Sequence, residues 1–474
     1  MERAAAAVAR DCVRAIHARA LRGERVVVLC GTGNNGGDGF GVARLLAASP
    51  AVGHVSVLLL GTRDHVAGDA AGMLARLESV RIPVSEVSDE AALEPLRGAT
   101  LVVDALFGTG LSRPLAAGSL AARAVSLASA RRAFVVSVDL PSGLDGGSAA
   151  AHAHHVRADL TVTFGFPKIA HVLPPAAGSC GRVVVADIGL LAGEGRGGLE
   201  AVVASDVGGL LPRRPYAAHK GTFGTLGVVG GAPGMAGAAA LAARAAFRSG
   251  VGKVVVVASG ESRAAVHALV AEATTAPAVP ESGLSALAVG PGLGTAGSAR
   301  EALDAALAAA LPTVLDADAL NLLAGRASLL RGRAVPTVLT PHPGEASRLL
   351  GVPTRDVAAD PERIALGLAE ASGAIVVLKG FRSVVAGPDG RRARVLSGNP
   401  GMASGGSGDV LTGIVGALLA RGLNAWDAAS AGAFLHGLAG DLAVEKLGEE
   451  SLVASDLLRA LPEAFQLVGE SDVP

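Results

Sequence analysis

Apolar positions in this chain fall in short consecutive runs, separated by alanine-rich stretches of helical spacing. In the first part the runs are Val26–Cys30, Val55–Leu60, Leu101–Asp104, Phe134–Asp139, Leu160–Phe164 and Val183–Ala186. Most are apolar on successive positions rather than alternate ones, as in strands buried on both faces. A parallel sheet covered by helices is the predicted architecture. Residues 191–216 break the rhythm with LAGEGRGGLE and LPRRPY, which places a linker near residues 191–200. The pattern then resumes at Gly227–Val229, with a long helix predicted over Ala236–Arg248. Further strands are predicted at Lys253–Ala258, Ala286–Val289, Thr313–Asp316, Thr337–Thr340 and Ile375–Lys379. The expected organisation is two α/β domains, 1–200 and 201–474, with no fixed-period repeat.

Composition sharpens this picture in a few places. A length of 474 residues exceeds one ordinary domain. Aromatic residues make up only 3% of the chain, so its cores must be built from Ala, Val and Leu. A net charge of −1 argues against nucleic-acid or membrane-surface binding through bulk charge. Cys12, Cys30 and Cys180 are scattered without metal-ligand spacing, which fits a reducing cytoplasm. No apolar run reaches membrane-spanning length, and MERAAAAVARDC is not the pattern of a signal peptide.

The densest chemistry lies at Asn399–Gly413, NPGMASGGSGDVLTG. Gly405, Gly406, Gly408 and Gly413 crowd around one carboxylate, Asp409, and an apolar helical run follows. Glycines let backbone N–H groups approach an anion, and a helix start adds partial positive charge. A carboxylate there repels phosphate, but it can take a proton from a hydroxyl that attacks phosphate. The segment therefore reads as a phosphoryl-transfer centre. VLDADALNLL adds Asp316, Asp318 and Asn321; TPHPGEASRLL adds His342 and Glu345; VVLKGFRSVV ends a strand at Lys379-Gly380. Lys379 near a phosphate offsets its charge, although a lone lysine is as often a solvated surface residue.

In the first part, VVVLCGTGNNGGDGF runs from a strand through a glycine turn into a helix predicted near Gly39. Gly31-Thr32-Gly33-Asn34-Asn35-Gly36 fits GxGxxG, a weak signal alone, and no P-loop GK[ST] is present. Asn34-Asn35 and Asp38 could ligate a cation or grip a ribose; the plain alternative is a tight turn. Asp104 and Asp139 end two further strands, where parallel sheets bind ligands, so both are expected to converge with the Asn35 loop. His152, His154 and His155 read as a surface loop rather than a metal site.

GTGNNGGDG, DALFGTGLSRP and VDLPSGLDG resemble the NAD(P)H-hydrate epimerase domain, and the likeness covers nearly all of residues 1–190. The resemblance implies a Rossmann-like fold. It also implies a substrate pocket of Asn34, Asn35, Gly36, Gly37, Asp38, Gly108, Thr109, Gly110, Leu111, Ser112, Arg113, Pro114 and Asp139. Asp139 is expected to move the proton, with potassium near Asn35, Asp104 and Ser142. Members of the family usually carry a helix before this segment. The chain starts within it, at Met1-Glu2-Arg3-Ala4, so that helix is expected to be missing or the start codon placed late.

HKGTFG, GPGLG, DADALN, TPHPGE and GGSGD resemble, in order, the NAD(P)H-hydrate dehydratase domain, of ribokinase-like α/β fold, over about residues 201–474. By resemblance, Ala238, Gly292 and His342 line the hydrated-nicotinamide pocket; Lys379, Gly380, Phe381, Arg382, Ser383 and Gly408 hold the nucleotide; Asp409 activates the substrate hydroxyl. Together the two likenesses imply repair of hydrated NADH and NADPH. The first domain would interconvert the hydrate epimers. The second would dehydrate the S form with ADP and Mg2+, leaving AMP and phosphate. Small molecules are the expected partners and a homo-oligomer the expected assembly. The alternatives are a hydroxymethylpyrimidine- or thiazole-type kinase for the second domain and a non-catalytic binding module for the first.

Overall fold

The computed structural model describes the chain except for residues 20–23, 112, 131–132, 191–199, 212 and 471–474. It divides into two compact units, Met1–Gly197 and Gly198–Pro474. The predicted linker at 191–200 lies outside the described residues, apart from Glu200.

In the first unit the strands are β1 (Glu24–Cys30), β2 (Val52–Leu59), β3 (Val84–Glu86), β4 (Leu101–Ala105), β5 (Phe134–Val138), β6 (Leu160–Phe164) and β7 (Arg182–Ala186). They form one sheet in the order β3-β2-β1-β4-β5-β6-β7, with every pair parallel. Strands β4 and β5 are buried at every position, which is why their sequence runs apolar without alternation. Strand order reverses between β1 and β4, so the crevice outside their carboxyl ends is the natural ligand site.

In the second unit the strands are β8 (Glu200–Val202), β9 (Thr225–Val229), β10 (Lys253–Val257), β11 (Thr274–Ala276), β12 (Ala286–Val289), β13 (Thr313–Leu315), β14 (Thr337–Leu339), β15 (Ile375–Leu378), β16 (Val384–Ala386) and β17 (Arg392–Val395). They form a 10-stranded sheet, β11-β10-β9-β12-β13-β14-β15-β16-β17-β8. It is parallel except where β16 runs against β15 and β17. Its order reverses between β9 and β12. Apolar clusters cover both faces, one of them drawn from the Ala236–Arg248, Ser407–Ala420 and Ala425–Leu447 helices. Among the described residues, no helix is long and apolar enough to cross a membrane.

The Ala236–Arg248 helix and strands β6 and β12 keep their predicted bounds. The other predicted strands shift by up to three residues at an end, and one helix boundary differs more. The helix after β1 begins at Asn34, not near Gly39. The glycines there serve packing rather than a turn: a Cβ at Gly36 would overlap the Gly31 carbonyl, and one at Gly39 would lie 2.6 Å from Ala105 Cβ. The two asparagines therefore sit on the first helical turn.

Candidate active sites

In the first unit, the two strands at the order reversal hold each other closely. A Cβ at Gly31 would overlap the Leu106 carbonyl, so only glycine lets the loop after β1 meet the loop after β4. This brings Asn35 to Gly108, where an added Cβ would stand 3.2 Å from Asn35 Oδ1. Asp104 is the penultimate residue of β4, fully buried. Its carboxylate accepts from Ser142 Oγ (2.6 Å), the Ser142 amide (2.9 Å), Ser137 Oγ (2.8 Å) and, more weakly, the Leu106 amide (3.4 Å). Burial raises its pKa, and these hydrogen bonds oppose the rise.

Asp139 follows β5 directly, at φ 64. Left-handed backbone at a non-glycine residue stores strain, which is commonest at functional sites. Its Oδ1 accepts from Lys168 Nζ at 2.5 Å and Thr163 Oγ1 at 2.9 Å. Lys168 Nζ also donates to Thr163 Oγ1 at 2.7 Å, and the Lys168 amide donates to Nδ1 of the buried His171 at 2.9 Å. Asp38 lies just past the first turn of the Asn34–Ala47 helix, and its Oδ1 is buried without a hydrogen bond. Burial is the main cause of its pKa rising to about 7, with the Asp139 charge adding to it. Lys168, Thr163 and His171 were absent from the expected site; a lysine just past the end of β6 is the signal that could have found them. Gly110, Arg113 and Pro114 stay exposed, and Ser112 lies outside the described residues. Of the histidine triplet, His155 is held inward, with Nε2 2.8 Å from Ser179 Oγ.

The second unit repeats the arrangement with different residues. A Cβ at Gly230 would overlap the Pro291 carbonyl, joining the loops after β9 and β12. Gly292, at φ 58, sits so near Ala238 that a Cβ on it would be 3.2 Å from the Ala238 methyl. Gly406 caps the Ser407–Ala420 helix at φ 89, and the first amides of that helix have no intrahelical acceptor. Asp409 lies in this first turn, and no donor among the described residues is spent on its carboxylate. Burial, then the charge of Asp316, raises its pKa to about 7; Lys379 opposes the rise.

Around it runs a chain of charge. Lys379 Nζ lies 2.7 Å from Asp316 Oδ1 and 3.8 Å from Glu345 Oε2. Thr412 Oγ1 donates to Asp316 Oδ2 at 2.7 Å. Glu345 Oε2 accepts from the His342 amide at 2.8 Å, and His342 Nδ1 accepts from the Gly344 amide at 3.0 Å. A Cβ at Gly408 would stand 3.2 Å from Lys379 Nζ, so this glycine faces the same cluster. Ser383 Oγ closes a turn onto Gly380, accepting from its amide (3.3 Å) and donating to its carbonyl (3.1 Å). Phe381 is half exposed. The Arg382 side chain is buried and turns inward to donate to the Leu396 carbonyl. Thr412 had no role in the expected site, although it stands one helical turn beyond Gly408.

Both sites can be tested for the ions that their likenesses imply. In the first, Asn35 Nδ2 is buried with no hydrogen bond. Amide nitrogen and oxygen are assigned by their surroundings, so a turned amide would aim an oxygen into the same spot. With buried Asp104 and Ser142 it makes an all-oxygen set, and such a set suits a hard cation. In the second, no group of three or more metal-ligating side chains is found among the described residues. Ser404 Oγ, buried in the glycine loop without a hydrogen bond, is a group to which nucleotide phosphates could bond.

A family described as NAD(P)H-hydrate dehydratase matches residues 226–463, and one described as YjeF-related protein N-terminus matches residues 1–170. The bifunctional NAD(P)H-hydrate repair enzyme of Moorella thermoacetica is 38% identical, covering 94% of this chain and 88% of its own. That of Escherichia coli K12 is 37% identical, covering 92% and 84%. Among solved structures, the ADP/ATP-dependent NAD(P)H-hydrate dehydratase of Bacillus subtilis, co-crystallised with ATP and Mg2+, is 34% identical with a TM-score of 0.54, covering 57% of this chain and 99% of its own. A ribokinase-like superfamily protein of Enterococcus faecalis shares the fold of the second unit, at a TM-score of 0.50 and 24% identity over 59% of this chain and 99% of its own. Two α/β units, each matched by its own family, and relatives matched along most of their length place this chain in the family of bifunctional NAD(P)H-hydrate repair enzymes.

Proposed function

We propose that the first unit interconverts the R and S epimers of hydrated NADH and NADPH, and that the second dehydrates the S epimer at the expense of ADP. The observation that carries this reading is Asp409. It is a carboxylate with a pKa of about 7, with no donor on it among the described residues, in the first turn of a glycine-opened helix beside Lys379. A base of that pKa suits proton removal near neutral pH.

Asp409 takes the proton of the hydrate hydroxyl as that oxygen attacks the terminal phosphorus of ADP. The bond from this phosphorus to the bridging oxygen breaks, and AMP leaves. The C–O bond then breaks with its electron pair going to phosphate, and loss of a proton from the neighbouring ring carbon restores the double bond. Hydroxide is a poor leaving group and phosphate a good one, so phosphorylation serves to remove the hydroxyl. The Gly405–Gly408 amides and Lys379 stabilise the transferring group. Mg2+, when bound, supplies charge neutralisation on the nucleotide phosphates.

In the first unit, Asp139 moves the proton at the hydrated carbon, and Lys168 holds the Asp139 carboxylate in place. Asn34–Asp38 and the 108–114 loop bind the substrate. Asn35, Asp104 and Ser142 would hold K+, whose charge offsets the buried Asp104 carboxylate. The vitamin-precursor kinase alternative is disfavoured by the repair-enzyme relatives, which match both units in one chain.

The test is to supply mixed hydrate epimers with ADP or ATP and follow reduced-cofactor absorbance. Full recovery of reduced cofactor is expected. Recovery that stops when the S form is spent would remove the epimerase assignment, and a stable phosphorylated product would remove the dehydratase assignment.

A further inference from the structure

The glycine loop that leads to Asp409 is held at both ends by a single helix, Ala425–Leu447. At the near end, Ser397 Oγ donates to the Phe434 carbonyl at 2.7 Å. The Gly398 amide and the Asn399 side-chain amide donate to the two oxygens of Asp441, each at 2.9 Å. At the far end, His436 Nε2 lies 2.9 Å from the Ser407 carbonyl oxygen and 3.2 Å from Ser407 Oγ. A carbonyl can only accept, so Nε2 carries the hydrogen. Burial pushes the imidazole down to about 4, so near neutral pH it is an uncharged, single-hydrogen donor.

Missing side chains let the helix come this close. A Cβ at Gly432 would stand 2.6 Å from Val415 Cγ2, one at Gly437 would stand 2.6 Å from the Ser397 carbonyl carbon, and one at Gly440 would stand 2.7 Å from Met402 Cγ. Three glycines on one helix thus set the depth at which Phe434, His436 and Asp441 meet the loop.

We propose that His436 is a positioning residue of the phosphoryl-transfer centre: its Nε2–H holds the Ser407 carbonyl and so fixes the Ser407–Gly408 peptide that lines the anion hole. The proposal rests on the reading of Asp409 as base and the Gly405–Gly408 amides as anion hole. The Ser407 carbonyl and the Gly408 N–H belong to one planar peptide unit. A donor on the carbonyl therefore sets the direction of the N–H. It also polarises the peptide and strengthens that N–H as a donor. Gly408 is the right residue to hold still, because it borders the cluster: a Cβ on it would stand 3.2 Å from Lys379 Nζ and 3.4 Å from Asp316 Oδ2. An imidazolium at this place would add a second positive charge beside Lys379, and the neutral ring avoids that.

The test uses the full chain with His436→Leu, His436→Gln and, as a control on the reading itself, Asp409→Asn. Dehydration of the S hydrate is measured as separate kcat and KM values, with epimerisation by the same chain and the thermal midpoint alongside. His436→Leu is expected to lose about tenfold to a hundredfold in kcat, less than outright removal of an anion-hole donor. Its KM for the hydrate stays within about twofold, and epimerisation is unchanged. His436→Gln, whose side-chain amide can still donate, recovers most of the loss. The proposal is overturned if His436→Leu keeps wild-type kcat while Asp409→Asn is inactive, or if Gln recovers nothing over Leu. If Asp409→Asn itself turns over normally, the centre on which His436 acts has been misassigned, and that result is distinct from either of the others.

Discussion

Lys379 Nζ lies 2.7 Å from Asp316 Oδ1, and Asp316 is almost wholly buried at the end of β13. The lysine that the sequence suggested for phosphate binding is thus already paired before any nucleotide arrives. Burial alone would lower its pKa, but Asp316 and Glu345 outweigh it, so the ammonium is kept. Removing one partner of such a pair leaves an uncompensated buried charge. Lys379→Met is expected to lose dehydratase turnover and about 3–5 kcal/mol of stability in the second unit. Adding Asp316→Asn should restore much of the stability but none of the turnover. Urea denaturation of both single variants and the double variant closes the cycle, and strictly additive losses would contradict the coupling.

Asp409 makes a pH prediction with two opposite signs. As a base it works deprotonated, so kcat/KM for dehydration should rise with pH through about 7. Burial is the main cause of this value; Asp316, Asp318 and Glu345 add to it and Lys379 opposes it. Because Asp316 raises it, Asp316→Asn should move the acid limb to lower pH. Stability runs the other way. The folded pKa of about 7 exceeds the ordinary 3.8, so the contribution is full below pH 3.8 and is lost as pH rises to about 7. Asp409→Asn should therefore be inactive yet more heat-resistant than the native chain at pH 8, with the gain shrinking towards pH 4. Equal midpoints at pH 8 would count against the buried charge.

Two glycines on one helix separate function from folding. Gly408→Ala places a methyl 3.2 Å from Lys379 Nζ and 3.4 Å from Asp316 Oδ2, contacts that a side chain can relieve by shifting. It should fold normally and lose about a hundredfold in dehydration by displacing the lysine. Gly413→Ala drives its methyl into the Ala242 carbonyl on the facing helix and 2.8 Å from the Ala245 methyl. It should yield little folded second unit. Circular dichroism with activity distinguishes the two, and a well-folded, active Gly413→Ala would refute the packing account.

In the first unit, Lys168 holds Asp139 at 2.5 Å. Lys168→Met should cut epimerisation by about a hundredfold, Lys168→Arg by less, and neither should alter dehydration of pure S hydrate. Asp139→Asn should abolish epimerisation and likewise spare dehydration. For the ion, K+ should raise the thermal midpoint of the chain more than Li+ does, and Asn35→Ala should erase that difference. Scanning calorimetry reads this without any substrate.

Much of this was legible because strands buried on both faces announce themselves in sequence, as β4 and β12 do. Glycine clusters and strand-end acids marked where the sites would lie. Strands β3, β8, β11, β16 and β17 were not foreseen. They are three or four residues long, and β16 reverses direction in a way that no local pattern records. The helix start at Asn34 was missed because a glycine run reads locally as a turn, whereas here its bare α-carbons answer to Leu106 and Ala105, far along the chain. Lys168 and Thr412 escaped for a related reason. Each acquires its meaning only from an acid that follows a distant strand, Asp139 after β5 or Asp316 after β13.

The two sheets are encoded in one polypeptide. Translation therefore delivers both centres in equal number, whatever the level or noise of expression. A cell that gains or loses copies of this chain changes total repair capacity but never the ratio of isomerising to dehydrating sites. The balance of the two activities can be retuned only by altering the intrinsic speed of one centre, which makes the residues around the two strand-end acid clusters, rather than gene dosage, the place where selection must act on it.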